Sequence, residues 1–375
     1  MAATQEALYG RLDLALSWSE ADLPERERTK HVHRLHPYLG KFVPQLVEEL
    51  LRRYVEPGGR VLDPFAGSGT TLVQSLESGH DAVGVDVAPF NCLLMRVKTA
   101  AYDVEVLRRD LGAASARAEE FAWDGEPPAQ ASAYVREWYA PRAAAELLAF
   151  RASLEGAESA DVLRVVLARA ARSARRTTHF DLDFPRAPQT EPYLCRKHRR
   201  VCRPVEEARR FLLRYTRDTR ARIEAFADAR RSGSSAAVLH GDARVLELGG
   251  PFAGVITSPP YPGLIDYHEQ HRYAYELLGL SRHGDDELGR PANGLSRAAI
   301  EAYVEGVADV LANARRALLP GAAVCVVVND RRELYPEILR RAGLRLETRL
   351  ERHVNRRTGL RAGEYFESVL VCRAA

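Results

Sequence analysis

VLDPFAGSGTT, Val61 to Thr71, is the stretch on which the fold turns. An apolar strand ends in an acid, Asp63, a turn holding Gly67 and Gly69 follows, and Thr70 and Thr71 open the helix TTLVQSLESG. Glycine lets a backbone turn sharply and approach a ligand with no Cβ in the way. Such a turn alone fits many nucleotide binders and many plain tight turns. The acid narrows the choice, because a carboxylate at the strand tip repels a pyrophosphate and suits an ammonium group.

Working outward, the chain falls into zones. Residues 1–30 read as an N-terminal arm. Residues 31–100 give a helix from Pro44 to Tyr54, then RVLDPF, the glycine turn and its helix, and DAVGVDV. Apolar runs of this length separated by helix-period segments predict a parallel sheet covered by helices. Residues 237–375 resume the rhythm with AVLHGDA, GVITSPPY, a helix near 298–318, AAVCVVVND, a short helix near 333–342, and the terminal strands LRLETRLER and FESVLVCR. Both zones belong to one α/β sheet. Residues 101–236 differ: SADVLRVVLARAARSARR and VEEARRFLLRYTRDTRARIEAFADARR are amphipathic helices. Between them lies an irregular, proline-bearing stretch, HFDLDFPRAPQTEPYLCRKHRRVCRP, and Arg231 to Ser235 reads as a linker back to the sheet.

Two further acids stand where strands end. Asp86 stands at the end of the strand in DAVGVDV, at the distance from the glycine turn at which an acid meets ribose hydroxyls in doubly wound folds, and Asp242 follows Gly241 in LHGDAR, placed to accept from an adenine amino group. Any one of the three acids alone is more often a helix cap or a surface turn. Together around one glycine turn they fit a nucleoside bearing an amino acid.

The segment Gly254 to Tyr261, GVITSPPY, is a strand ending in a rigid aromatic turn. The exocyclic amine of cytosine or adenine is a poor nucleophile because its lone pair is delocalised into the ring. Both amine hydrogens must be held for the nitrogen to pyramidalise. The Ser258 hydroxyl and the Pro259 carbonyl can accept them, Pro259 and Pro260 fix the direction of that carbonyl, and Tyr261 offers a face to a flipped base. Positioning rather than a covalent nucleophile supplies the catalysis.

DPFAGSGTT (63–71), TSPPY (257–261) and HPYLGKF (36–42) together resemble the amino-methyltransferase family of DNA methyltransferases, which modify cytosine N4 or adenine N6. The resemblance covers about 31–100 and 237–375. It implies the S-adenosylmethionine-dependent methyltransferase fold, a Rossmann-like and mostly parallel sheet with an antiparallel last strand, here carrying a helical insertion. It implies S-adenosylmethionine as cofactor, with Lys41, Phe42 and His36 near its methionine end. The loop Asp63, Pro64, Phe65, Ala66, Gly67, Ser68, Gly69 and Thr70, with Asp86 and Asp242, would hold the rest. SPPY is the form more typical of cytosine-N4 enzymes, whereas adenine-N6 enzymes usually carry an acid or Asn at the position of Ser258. Cytosine N4 is therefore the expected target and adenine N6 the alternative.

The insertion precedes the catalytic turn, as a target-recognition region does in one arrangement of the family, but lies one strand earlier than that arrangement implies. Between Arg164 and Arg231 there are 19 Lys and Arg against 8 Asp and Glu, in a chain whose net charge is only +3, so the remainder is net acidic. Clustered positive charge is what a polyanion requires, although an Arg-rich solvated helical surface gives the same count. Arg196, Lys197, His198, Arg199 and Arg200 are the expected contacts to double-stranded DNA, chiefly to phosphate. Asp266 and Tyr267, just after the catalytic turn, are candidates for the base pocket. An amphipathic segment packing through Leu264, Ile265, Leu277 and Leu278 is the rival reading there.

The five cysteines are odd in number and scattered, so reduced thiols are expected. Cys195, His198 and Cys202 lack a CxxC knuckle and a second pair, so loop packing and no metal are expected. The longest apolar runs, such as AAVCVVV at 322–328, are too short to span a bilayer, and the N-terminus has no basic start leading into an unbroken apolar stretch. A cytoplasmic enzyme is expected, with a cognate restriction endonuclease as a possible partner. An RNA amino-methyltransferase, an enzyme acting on a protein glutamine amide, and a non-catalytic DNA-binding regulator are the rival functions. The first would normally carry a separate RNA-binding domain, the second Asn in place of Ser258, and the third a degenerate glycine loop or catalytic turn.

Overall fold

The structure, a computed structural model, describes residues 13–18, 22–177, 187–195, 198–281, 287–354 and 366–374. In chain order the strands are β1 (Val61–Asp63), β2 (Ala82–Asp86), β3 (Tyr193–Cys195), β4 (Arg200–Cys202), β5 (Ala236–His240), β6 (Phe252–Thr257), β7 (Leu318–Val328), β8 (Leu344–His353) and β9 (Phe366–Ala374). The principal helices are α1 (Pro44–Tyr54), α2 (Thr70–Ser78), α3 (Pro89–Thr99), α4 (Val104–Glu120), α5 (Ala133–Trp138), α6 (Pro141–Arg151), α7 (Ala160–Ala174), α8 (Arg209–Ala229), α9 (Arg272–Leu278), α10 (Arg297–Arg316) and α11 (Tyr335–Ala342).

Contacts divide the chain into two compact units. The first comprises Met1–Thr99, Ala229–Asp266 and His283–Ala375 and holds the seven-stranded sheet, in the order β5-β2-β1-β6-β7-β9-β8. From β5 to β7 neighbouring strands are parallel, and β9 runs antiparallel to both β7 and β8. This is the S-adenosylmethionine-dependent methyltransferase fold that the family resemblance implied. Its strands are apolar on both faces because both faces are covered. On β7, Val324, Val326 and Val328 enter one core with Tyr303, Val307 and Leu311 of α10 and Ile338 of α11. Ala323, Cys325 and Val327 enter the other with Leu46, Val47, Leu50 and Leu51 of α1. Each fully buried aliphatic side chain of this kind is worth about 1.5–3 kcal/mol.

Local signals set the helices that cover the sheet. Pro44 opens α1 at a position where no N–H is needed. Gly79, in the left-handed region at φ 83°, stops α2, and the Ser296 hydroxyl caps α10 by accepting from the Ala299 N–H at 3.2 Å. The segment expected to be an arm also joins this unit. Leu16 is fully buried in the α1 core, and the Asp13 N–H donates to the Glu351 carbonyl of β8 at 2.8 Å.

The second unit comprises Ala100–Asp228 and Tyr267–Arg282. It is helical, with the small ribbon β3–β4 standing as its own two-stranded sheet. Two expectations change here. Tyr267–Arg282, read as part of the catalytic domain, belongs to the helical unit: Tyr273 and Leu277 of α9 are buried, Ser132 donates to Glu276 at 2.9 Å, and the Arg175 guanidinium lies over the Tyr273 ring. The stretch from Arg231 to Ser235, read as a linker back to the sheet, is itself pinned in the first unit. Its Ser234 is buried and donates to the Leu76 carbonyl at 3.1 Å.

Candidate active site

In an open parallel sheet a ligand sits beyond the carboxyl ends of the strands, where the strand order reverses. Here the chain runs outward from β1 through β2 to β5, then returns to the other side of β1 with β6. The glycine loop leaves β1 and the catalytic turn leaves β6, so the reversal brings both motifs to one edge. A buried side-chain bridge ties them, the Thr257 hydroxyl donating to Asp63 Oδ1 at 2.7 Å.

Asp63 is buried and fully engaged. Its Oδ1 also accepts from the Phe65 N–H at 3.1 Å, and its Oδ2 accepts from the Thr71 hydroxyl at 2.6 Å. Burial pushes its pKa up to about 6 against the hydrogen bonds from Thr257, Thr71 and Phe65. Asp86, partly buried at the tip of β2, accepts from the N–H groups of Ala88 at 2.8 Å and Gly67 at 3.0 Å and from the Asn91 amide at 3.1 Å. Burial raises it to about 7. Asp242 lies two residues past β5 and is gripped by Arg244, whose Nε donates to Oδ2 at 2.9 Å and whose Nη2 lies 2.7 Å from the same oxygen. Burial acts to raise its pKa, but the Arg244 contacts prevail and the net direction is down. The sequence could not show how far each carboxylate is already committed within the fold.

The loop glycines have a second reason to be glycine. Gly67 and Gly69 both have positive φ, 50° and 80°, and a Cβ on Gly67 would lie 2.8 Å from the Tyr38 hydroxyl, one on Gly69 2.9 Å from Met95. Tyr38, from the HPYLGKF segment, is thus laid against the loop and also accepts from Asn91 at 3.2 Å. Lys98 of α3, wholly buried, donates from Nζ to the Ser68 carbonyl at 2.6 Å, and burial, with Lys41 nearby, holds its pKa well below the usual lysine range. Lys41 donates to the His33 carbonyl at 2.8 Å, and burial with Arg34 brings it down to about 8. Phe42 packs into the α1 core, and His36 is buried with its ring edge-on to Phe90 at 5.2 Å. Tyr38, Asn91 and Lys98 went unnoticed in the sequence, Tyr38 although it stands inside a quoted motif.

A site of this kind fits S-adenosylmethionine. The loop carries two glycines in the left-handed region, acids stand at successive strand ends, and the buried Ser68 Oγ has no hydrogen-bond partner among the described residues. Pro64, Phe65, Ala66 and Thr70 complete the same loop.

At the catalytic turn the Ser258 hydroxyl donates to the Val327 carbonyl of β7 at 2.9 Å. A hydroxyl has one hydrogen and two lone pairs, so toward any further partner Ser258 is an acceptor. No donor among the described residues reaches the Pro259 carbonyl. The Pro260 carbonyl accepts from the Tyr303 hydroxyl of α10 at 2.9 Å, which in turn lies 3.3 Å from the Tyr335 hydroxyl. Burial raises the Tyr303 phenol to about 12, so it stays a donor at neutral pH. Tyr303 was missed because nothing in local sequence links it to a turn some forty residues upstream. Tyr261 is half-buried, and Asp266 lies 3.6 Å from the Arg290 guanidinium. Tyr267 begins the segment that belongs to the helical unit.

In that unit the expected DNA contacts divide. Arg196 and Lys197 lie outside the described residues, while His198, Arg199 and Arg200 are exposed on the β3–β4 ribbon. His198 Nδ1 is 3.4 Å from Cys202 Sγ, and Cys195 shares the cluster. Many arginines of the basic segment serve the unit's own packing: Arg169 pairs with Asp218 and stacks on Tyr215, Arg222 binds Asp218 at 2.7 Å, and Arg209 donates to the Phe121 carbonyl.

Strand order, glycine loop and acceptor-bearing turn define a methyltransferase that binds S-adenosylmethionine. The profile of the family described as DNA methylase matches residues 12–95. The type II methyltransferase M.MjaII of Methanocaldococcus jannaschii is 34% identical over an alignment of 444 positions, covering 96% of this chain and 84% of that protein. The type II methyltransferase M.MvaI of Kocuria varians is 38% identical over 80 residues, 20% of this chain and 18% of that one. Among solved structures, TrmN of Thermus thermophilus is similar at a TM-score of 0.36 and 14% identity, over 90% of this chain and 50% of that one. The chain belongs to the DNA amino-methyltransferase family. No helix among the described residues is long and apolar enough to cross a membrane.

Proposed function

We propose that this enzyme methylates the exocyclic N4 of cytosine within a specific sequence of double-stranded DNA, acting on a base flipped out of the stack. The observation that carries the reading is the hydrogen bond from Ser258 to the Val327 carbonyl. It commits the one hydroxyl hydrogen away from the substrate and leaves lone pairs for an amine. One amine hydrogen is donated to Ser258 Oγ and the other to the Pro259 carbonyl, so nitrogen rehybridises with its lone pair free of the ring. Tyr303, by holding the Pro260 carbonyl, fixes the turn that aims both acceptors. Tyr261 stacks on the flipped base. When bound, S-adenosylmethionine supplies an electrophilic methyl group on its sulfonium. The proton that the amine sheds after transfer passes to solvent.

For the cofactor, the proposal assigns the loop from Asp63 to Thr70, with Asp86 at the ribose and Asp242, Lys41 and Phe42 around the two ends. Asp63 supports the loop first and faces the methionine ammonium second, given its internal donors. Cytosine N4 is preferred because Ser258 stands where adenine-N6 enzymes of this family usually carry an acid or Asn. The helical unit is the proposed recognition region, with Arg199 and Arg200 among its phosphate contacts. A cognate endonuclease is a reasonable partner given the type II names of the relatives, and the cytoplasm the matching compartment. The deciding experiment methylates a complex DNA pool with labelled cofactor, digests it to nucleosides and separates them by mass. N4-methylcytosine is expected, N6-methyladenine overturns the choice of base, and unlabelled DNA overturns the activity.

A further inference from the structure

The ribbon β3–β4 stands apart from the seven-stranded sheet and has three residues on each strand. Two strands of that length are marginal in water unless something else holds them. On one face apolar burial does not: Leu194 and Val201, paired opposite each other, are 73% and 65% exposed, whereas Cys195 on the other face is buried. The pleat puts their neighbours on the other face. Tyr193 pairs with Cys202 and Cys195 with Arg200, so both cysteines share the face opposite Leu194 and Val201. His198, in the connecting turn, brings its ring back over that face, followed by Arg199 in the left-handed region at φ 51°. The result is two thiols and an imidazole whose donor atoms all lie within 4.8 Å of one another.

From this juxtaposition we infer that Cys195, His198 and Cys202 form a zinc site that staples the ribbon. Sulfur and imidazole nitrogen are donors that suit zinc, with bonds of about 2.3 Å and 2.0–2.1 Å. In a tetrahedron those bonds separate a sulfur from a nitrogen by about 3.5 Å and two sulfurs by about 3.8 Å. The His198 Nδ1 to Cys202 Sγ distance is 3.4 Å, and the whole triad lies within 4.8 Å, so closing on an ion needs only small side-chain movements. The hairpin supplies three of four ligands, and a donor outside the triad takes the fourth position. The spacing CxxHxxxC escaped the sequence criteria because they ask for a CxxC knuckle. Here the pleat pairs the cysteines across strands and the turn brings in the histidine. Zinc binding by these side chains does not depend on which base the enzyme methylates.

The test uses the full chain, purified untagged with a phosphine reductant and no chelator. Elemental analysis is expected to give about one zinc per chain, and X-ray absorption at the zinc edge two sulfur neighbours. Cobalt(II) exchanged into the site is expected to show thiolate charge-transfer absorption and the visible bands of a tetrahedral ion. Cys195→Ser with Cys202→Ser must lose all three signals, with binding of labelled S-adenosylmethionine as the check that the first unit is folded. His198→Cys must keep the metal and shift the cobalt spectrum toward three thiolates, which keeps the test sharp should the double variant fold poorly. A chain that takes up neither zinc nor cobalt, a double variant with unchanged metal, or a Cys195–Cys202 disulfide under these conditions overturns the assignment.

Discussion

The turns that leave β1 and β6 stand side by side and spend their polar groups in opposite ways. In the glycine loop nearly everything is satisfied within the protein: Asp63 takes three donors, Asp86 three, and the Ser68 carbonyl a buried lysine. In the SPPY turn the hydrogen of Ser258 is directed into β7, which leaves the Oγ lone pairs, in the proposed mechanism, to a substrate amine. A loop built this way is rigid before a ligand arrives, while the turn holds capacity in reserve. Damage to the first should therefore register in stability, and damage to the second in rate.

The largest effect is expected from Ser258→Ala. Loss of one aimed hydrogen-bonding group of this type costs about 10²–10³-fold in turnover. Single-turnover methyl transfer should fall by that factor while the melting temperature and cofactor affinity hold. A melting temperature that falls with the rate would break the contrast. Asp63→Ala should do the reverse, leaving the Thr71 and Thr257 hydroxyls and the Phe65 N–H without their buried acceptor, at about 3 kcal/mol of unfolding free energy. Denaturant titration measures it.

The same acids give the contrast a pH dependence. Asp63 and Asp86 have folded pKa values of about 6 and about 7, above the unfolded value near ~3.9. The folded state thus binds their protons more tightly, so their contribution to stability is full below about pH 4 and lost as pH rises through 6 to 7. For Asp63 this amounts to at most about 3 kcal/mol, read as the difference between wild type and Asp63→Asn in melts across that range. Affinity for the cationic cofactor should move the other way, rising as both acids ionise. Calorimetry at pH 5 and pH 8 would show it, and equal affinities would discount both carboxylates as cofactor contacts.

Smaller effects sharpen the comparison. Tyr303→Phe removes the donor to Pro260 and should slow turnover about fivefold, the equivalent of the ~1 kcal/mol of one neutral hydrogen bond, without touching cofactor binding. Loss of both Arg199 and Arg200 to Ala should flatten the dependence of log affinity for DNA on log salt by about two, leaving methyl transfer at saturating DNA unchanged. An unaltered slope would remove the ribbon from the DNA contacts.

The sheet was legible because both its faces are covered, so its strands read as apolar runs and its strand-end acids stand out. The second unit was legible only as helices. Tyr267–Arg282 joins it through Tyr273, Leu277 and Glu276, contacts that no local period signals. Charge misled in part, since Arg169, Arg209 and Arg222 are spent on internal partners. At the site, sequence gave up the residues whose backbone is unusual, Gly67, Gly69, Pro259 and Pro260. It hid those that act at a distance, Thr257, Tyr303 and Lys98, because an ordinary residue on a helix or strand carries no mark of the partner it meets.

Where the chain leaves the sheet for residues 100–228 and where it returns are clasped together. Arg230, just past the end of α8, donates to the Thr99 carbonyl at the end of α3 at 2.8 Å and also to the Ser234 carbonyl. This clasp lies within the first unit, so lengthening the chain looped out between Thr99 and Arg230 costs only about 0.6 kcal/mol of closure entropy per doubling. A cassette spliced between Thr99 and Arg230 would keep this clasp, and to pack as the present unit does it would also have to accept Tyr267–Arg282, the unit's second segment.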